Sequence, residues 1–265
     1  MIKKILVISV WTLLVSGTGI ILGFAGREQS DLPCREMRIN IERDGENYFV
    51  EEEDIIAMLK ERGDSVIGQR LSTLQVDRIE QLLMTNPWVA AADVYMSIDG
   101  VLSIDIRQRD PMLRIINAEG ESYYMDTRGK LMLWSQNFTP RVLTVNGAIA
   151  EKFNNWYTIS AEDIIRSDSL SLTVLDELYT LARYITSDYF WNAQIAQIHL
   201  LPDGEFTLVP QVGEHKIIFG DISDMEEKFH KLKTFYKEGL NYTGWELYDT
   251  INLKFKNQVV CTKIK

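Results

Sequence analysis

The sequence predicts an α+β protein: one apolar N-terminal helix, a βααββ unit, and a larger mixed β domain with helices that ends in a β-hairpin. Three observations predict it. From Ile5 to Phe24 no side chain ionises, and about 20 helical residues at 1.5 Å each match the roughly 30 Å of a bilayer's hydrocarbon. Beyond that run, period-two apolar alternation recurs between amphipathic helical patterns. Turn dipeptides at Asp44-Gly45, Asp99-Gly100, Glu119-Gly120 and Arg128-Gly129 punctuate the strands.

Lys3 and Lys4 precede the apolar run and Arg27 follows it with Glu28 and Asp31, so the positive-inside bias puts the N-terminus in the cytoplasm and the remaining chain outside. The expected division is a cytoplasmic tail at 1–4, a transmembrane helix at 5–26, a linker at 27–34, a first domain at 35–110 and a second at 111–265. Gly23-Phe24-Ala25 offers a signal peptidase small residues, but a signal h-region is about 7 to 15 residues, shorter than this run. An uncleaved inner-membrane anchor is therefore expected. Within it, Ser16, Gly19 and Gly23 form a small-residue stripe containing G-x-x-x-G, which allows close helix packing; the plainer reading is that Gly and Ser are common in spans.

The 265 residues carry a net charge of -10, and the part after the span holds 26 basic against 38 acidic groups. Such an acidic exterior excludes phosphate-backbone binding, which needs concentrated Lys and Arg. Cys34 and Cys261 are too few and too far apart in sequence for a disulfide scaffold, and read as two unrelated thiols. The three histidines, His199, His215 and His230, have no companion at ligand spacing, and no H-E-x-x-H, G-x-S-x-G, S-x-x-K or Walker-type loop occurs. No cofactor, metal or catalytic residue is implied. The acids at Glu51 to Asp54 and at Glu226-Glu227 open helices, where solvation and the helix dipole explain them.

The first strand is expected at Met37 to Glu42, where Met37, Ile39 and Ile41 alternate with polar residues. A helix follows from Glu51, with Ile55, Ile56 and Leu59 on one face and Gly63 as its stop; a second runs from Gln75 to Met84 with Ile79, Leu82 and Leu83 inward, closed by Asn86-Pro87. Val94 and Met96 pair across Asp99-Gly100 with Leu102, Ile104 and Ile106. A meander at Leu113–Ile116, Tyr123–Asp126 and Leu131–Trp134 opens the second domain. A helix through Leu172 to Ile185, strands at Ile195–Leu200, Glu205–Val209 and His215–Phe219, and a helix from Met225 to Lys237 stopped by Gly239 follow. Strands at Thr250–Phe255 and Val259–Lys263, joined by Lys256-Asn257-Gln258, close the chain.

Several of these segments resemble the FtsQ/DivIB family of bacterial cell-division proteins. Asn86-Pro87-Trp88-Val89-Ala90-Ala91-Ala92-Asp93-Val94 is similar to the family's P-x-V-x-x-A-x-V corner. Leu102 through Pro111 is similar to its strand ending in E-R-x-P, with Gln108 in place of Glu. Tyr124-Met125-Asp126-Thr127-Arg128-Gly129, Ile217-Ile218-Phe219-Gly220 with Lys228, and Ile251-Asn252-Leu253-Lys254-Phe255, similar to I-D-L-R-Y, follow in the family's order. Residues 146 to 168 have no counterpart, and a tail of four residues holds no cytoplasmic binding domain.

The resemblance implies a POTRA domain followed by the family's β domain, and a bitopic scaffold at the division septum that recruits divisome proteins. It implies FtsB/FtsL-like partners bound at the C-terminal strands. That matches a physical argument, because a terminal strand at a sheet edge offers unpaired N–H and C=O groups. Ile251, Leu253, Lys254, Phe255, Val259 and Val260 are the expected partner-binding residues, with Phe255 as anchor and Lys254 facing acidic partner groups. The solvent-facing side of Met37 to Glu42 is a second expected docking edge. Two rivals remain: an exported, membrane-anchored enzyme built on scattered carboxylates such as Asp126 and Asp249, and a POTRA-type outer-membrane assembly factor.

Overall fold

The alternation at Met37, Ile39 and Ile41 becomes β1 (Glu36–Glu42), with polar side chains outward and apolar ones half-buried. The computed structural model describes residues 11–18, 32–43, 48–61, 66–135, 138–153 and 173–264, and the chain divides into two units, Met1–Gln108 and Arg109–Lys265. In the first unit β1 is followed by α1 (Glu52–Glu61), α2 (Val76–Leu83), β2 (Val89–Met96) and β3 (Val101–Gln108). The sheet order is β1-β3-β2, with β1 parallel to β3 and β2 antiparallel to it. Ile55 and Leu59 of α1 and Ile79, Leu82 and Leu83 of α2 are buried, as are Leu102, Ile104 and Ile106 of β3.

Local chemistry sets these boundaries. The Glu51 N–H donates to Asp54 Oδ2 at 2.9 Å, which satisfies a donor that the start of a helix leaves orphaned. Asn86 Oδ1 accepts from the Trp88 N–H at 2.9 Å and shapes the corner before β2. The expected turn at Asp44-Gly45 and the stop at Gly63 lie outside the described residues.

The second unit is a nine-stranded mixed sheet in the order β12-β11-β10-β9-β8-β7-β4-β5-β6. β4 (Pro111–Ile116), β5 (Ser122–Asp126) and β6 (Leu131–Leu133) form the expected meander. β8 (Ile195–Leu200), β9 (Phe206–Pro210) and β10 (Lys216–Gly220) form a second antiparallel run. Between the two runs lies β7 (Leu143–Gly147), parallel to both β4 and β8. The sequence reading missed β7 because five residues with two apolar positions carry too little period; its partners are distant along the chain.

Helix α3 (Val174–Ser187) buries Leu175, Leu178, Leu181, Ala182 and Ile185. A short α4 (Tyr189–Gln194), unforeseen, follows where Asp188 Oδ1 accepts from the Phe190 and Trp191 N–H groups at 2.8 and 3.1 Å. Helix α5 (Met225–Thr234) does not stop at Gly239. It runs on through a π-helical turn at Phe235–Leu240 and a last turn at Asn241–Thr243. Gly239 is there because a Cβ would come within 2.7 Å of the Phe235 ring. The helix ends instead at Gly244, at φ 90°, whose N–H returns to Leu240 O at 2.9 Å.

β11 (Tyr248–Asn252) pairs parallel with β10 and antiparallel with β12 (Val260–Lys263). Both strands are shorter than expected at the turn side, and the connection is residues 253–259. Leu253 leaves the strand ladder but still donates its N–H to Ile218 O at 2.9 Å. Cys34 and Cys261 are both free thiols.

Candidate functional site

β12 stands last in the sheet order, and among the described residues β11 is its only strand partner. Ile264 donates its N–H to Leu247 O at 3.1 Å. The alternation of an antiparallel ladder then turns the main-chain groups of Lys263 and Cys261 away from the sheet. The outer side of the domain's final strand is thus a row of hydrogen-bonding groups beside exposed Val260 and Ile264.

The six expected binding residues divide. Ile251 and Leu253, expected at the interface, are fully buried in the core between sheet and helices, so their side chains support the edge from within. The parity of β11 turns Ile251 inward, and the bond from Leu253 to Ile218 holds its side chain on the same face. Phe255 and Val260 stay exposed, and Val259 is half-buried against the core. Lys254 is engaged within the chain, its ammonium on Glu205, and that contact raises its pKa above the usual lysine range. Its main-chain N–H donates to Asn252 Oδ1 at 3.0 Å, so the Asn at this place closes a local turn.

What holds Phe255 in place was not legible beforehand. Lys231 of α5 reaches across the connection, donating from Nζ to Phe255 O at 2.8 Å and to Leu253 O at 3.1 Å, with Glu227 one helical turn back at 3.9 Å. Only the Glu227–Lys231 spacing was visible in sequence. Beside this clamp His230, Thr234, Phe235 and Glu238 face Asn257, Gln258 and Val259 across a shallow groove of about 500 Å³. Asn257 takes φ 60° at the turn, a left-handed conformation that Asn tolerates.

Two polar pairs tie together the elements behind the edge, one between buried Lys228 and exposed Asp221, the other between buried His215 and Tyr236. Lys228 Nζ donates to Asp221 Oδ1 and to Asp221 O, both at 2.9 Å, and lies 5.1 Å from the Phe219 ring centroid. The Ser223 hydroxyl, followed by Lys228, holds the Asp221 carboxyl below the usual range. His215 Nε2 meets Tyr236 Oη at 2.9 Å with Trp245 alongside. Burial lowers the His215 pKa and raises that of Tyr236.

The carboxylates of the rival reading do not converge on this groove. Asp126 Oδ1 accepts from the N–H groups of Lys130 and Arg128 at 2.8 and 3.0 Å, with Arg109 at 4.0 Å, and burial raises its pKa. Asp249 is an exposed residue of β11. Among the described residues no group of three His, Cys, Asp or Glu could hold a metal ion.

Residues 110–262 match the family described as FtsQ/DivIB, C-terminal related. The chain belongs to the FtsQ/DivIB family. Residues 32–107 match the POTRA-like domain, so the βααββ unit is the POTRA-like part of this FtsQ/DivIB chain. Cell division protein FtsQ of Geotalea daltonii is 27% identical over 203 residues, covering 76% of this chain and 66% of the relative. Cell division protein FtsQ of Rhodothermus marinus is 26% identical over 197 residues, covering 73% and 67%. The chain thus spans about two thirds of the length of these curated relatives.

In the POTRA-like part, β1 is an edge strand whose outward side carries Arg38, Asn40 and Glu42, with Asn40 Nδ2 donating to Asp105 Oδ1 at 3.2 Å. Residues 11–18 are helical, and the rest of the expected span lies outside the described residues. Among the described residues no helix is long and apolar enough to cross a membrane. Ser16 Oγ donates to Thr12 O at 2.7 Å within its own helix; Gly19 and Gly23 lie outside the described residues.

Proposed function

We propose that this chain is a cell-division scaffold, anchored in the inner membrane by one span at 5–26, that recruits and links divisome proteins by accepting a partner strand along β12. The observation that carries the reading is the position of β12 at the sheet edge, paired with β11 alone among the described residues. Family membership and the names of the two FtsQ relatives supply the cellular context. The partners are FtsB/FtsL-like proteins, the POTRA-like part contacts neighbours through its own surface, and the mechanism is binding without bond chemistry. The anchor is supported by the uninterrupted apolar run and by Trp11, Leu13, Leu14 and Val15, exposed apolar side chains that lipid would cover.

Strand addition is tested by Lys263→Pro. An edge strand tolerates proline where its N–H faces away from the sheet, so this variant keeps its fold while the outer hydrogen-bonding row is broken. Binding of an FtsB-like peptide to the full chain should fall at least tenfold, with the melting temperature held; unaltered affinity would rule out this docking mode. In cells, depletion should produce filaments.

A further inference from the structure

The POTRA-like sheet has two edge strands, and they are finished differently. At β2 the outward Val94 N–H is closed by Glu80 Oε1 of α2 at 2.8 Å. At β1 the Arg35 N–H donates inward to Gly100 O at 2.8 Å, so strand alternation turns the main-chain groups of Met37, Ile39 and Ile41 toward β3 and those of Glu36, Arg38, Asn40 and Glu42 away from the sheet. One end of that outer row is occupied. Cys34 donates its N–H to Gln69 O at 2.7 Å and its carbonyl accepts from the Gly68 N–H at 2.8 Å, and Glu36 O receives the Cys34 thiol at 3.5 Å. Among the described residues nothing bonds the outer main-chain groups of Arg38, Asn40 and Glu42. On the core side Met37, Ile39 and Ile41 are half-buried, whereas Leu102, Ile104 and Ile106 of the central strand are fully covered. Open hydrogen-bonding groups and incompletely covered isoleucines along the same stretch are what a missing neighbour strand leaves.

The sequence of β1 says which strand fits, because it complements itself. A two-fold axis centred on Asn40 sets Arg38 opposite Glu42 and Glu42 opposite Arg38, with Ile39 against Ile41 on the core side. A centre at Ile39 would set Glu36 against Glu42, and a centre at Arg38 would set two arginines together; like charges directly opposite are destabilising. Arg38 Nε already meets Glu36 Oε1 at 3.0 Å, but both side chains are more than half exposed, where such a contact is weak. The guanidinium also carries further donors on its Nη atoms, so it can reach Glu42 of a second copy and keep Glu36. Among the described residues Glu42 has no ion pair. The pairing runs out at the turn signal Asp44-Gly45, before the second strand reaches the stretch occupied at Cys34.

We infer that two copies of this chain pair through β1, antiparallel and centred on Asn40, so that one sheet runs through both POTRA-like units. Arg38, Asn40 and Glu42 of each copy exchange N–H and C=O bonds, and Ile39 and Ile41 of the two copies cover each other. The contact uses the same surface on both copies, as a closed two-fold requires. It belongs to the POTRA-like unit and does not depend on strand addition at β12.

The test is disulfide trapping in cells producing the full chain, with Cys261→Ser and buried Cys34 retained. A two-fold centred on Asn40 brings that residue opposite its own copy at about 5.5 Å between Cα atoms, inside the roughly 4.4–6.8 Å that a disulfide spans. Under copper–phenanthroline, Asn40→Cys should give about fivefold more covalent dimer than Tyr189→Cys, an exposed position on the other unit. Arg38→Cys and Glu42→Cys should each dimerise poorly alone, their own copies lying about 13 Å apart along the strands, and efficiently when the two are co-expressed. Adding Arg38→Glu should lower the yield at position 40, and adding Glu42→Arg to that variant should restore it, a reversal that damage to folding would not show. Equal yields at 38, 40 and 42, or a yield at 40 no higher than at 189, overturn the inference. So does trapping of position 40 on a different protein in place of its own copy. Each of these results leaves peptide binding at β12 to be judged separately.

Discussion

The side chain of Gln108, at the end of β3, accepts a hydrogen bond from the Phe49 main-chain N–H at 2.9 Å, and the same Oε1 accepts a second from Val50 at 2.8 Å. All three residues are buried. One amide oxygen thereby closes two donors in the segment that leads into α1, and it does so without bringing a charge into the core.

Gln108→Ala leaves those two buried N–H groups unsatisfied. Each orphaned buried donor costs on the order of 1–3 kcal/mol, so urea unfolding of the POTRA-like unit should show a loss of about 2–4 kcal/mol, with partial rehydration of the site assumed. A loss no larger than that of an exposed surface substitution would show that the donors have other acceptors.

His215 makes the second unit acid-sensitive. Its pKa is lowered from 6.5 by burial, and among the described residues its ring nitrogens meet the neutral Tyr236 hydroxyl and no charged group. The unfolded chain therefore takes up this proton first as pH falls: stability is fully present above about 6.5 and declines from there toward the lower folded value. Urea midpoints of the second unit at pH 7.5 and pH 5 should differ, and His215→Phe should shrink the difference. A His215→Phe protein with an undiminished pH dependence assigns it elsewhere.

Gly147 allows β7 to sit between two distant partners. At φ 116° a Cβ there would lie 2.1 Å from Leu200 O, a backbone atom that cannot step aside. Gly147→Ala should cost more than about 3 kcal/mol, combining backbone strain with a direct clash. Thermal unfolding reads it, and a melting temperature within a degree or two of the parent would contradict this geometry.

Phe255 and its clamp separate binding from folding. Phe255→Ala removes a half-exposed ring, so stability should change by less than about 1 kcal/mol while affinity for an FtsB-like peptide falls about tenfold, as for an aromatic anchor. Lys231→Met frees the Leu253 and Phe255 carbonyls and should weaken the same binding less, chiefly through faster dissociation. Peptide titration alongside melting curves distinguishes the two, and equal affinity in both variants removes Phe255 from the interface.

Much of this protein is set by local pattern. The alternation at Met37, Ile39 and Ile41, the apolar face of Ile79, Leu82 and Leu83, and the turn at Asp99-Gly100 determine the βααββ order, because each element is specified by residues within a few positions of each other. The same holds for the meander from Pro111 to Leu133. Tertiary structure alone decided the rest. β7 exists because β4 and β8 flank it, Gly239 continues a helix because the Phe235 ring lies where a Cβ would be, and Ile251 and Leu253 face the core because of which neighbour each strand meets. The pairing of β11 with β10, which leaves β12 at the sheet edge, and the Lys231 clamp on Phe255 come from contacts between segments more than twenty residues apart. Period and turn chemistry report only near neighbours, and pairing across the chain is settled when the whole sheet closes over one core.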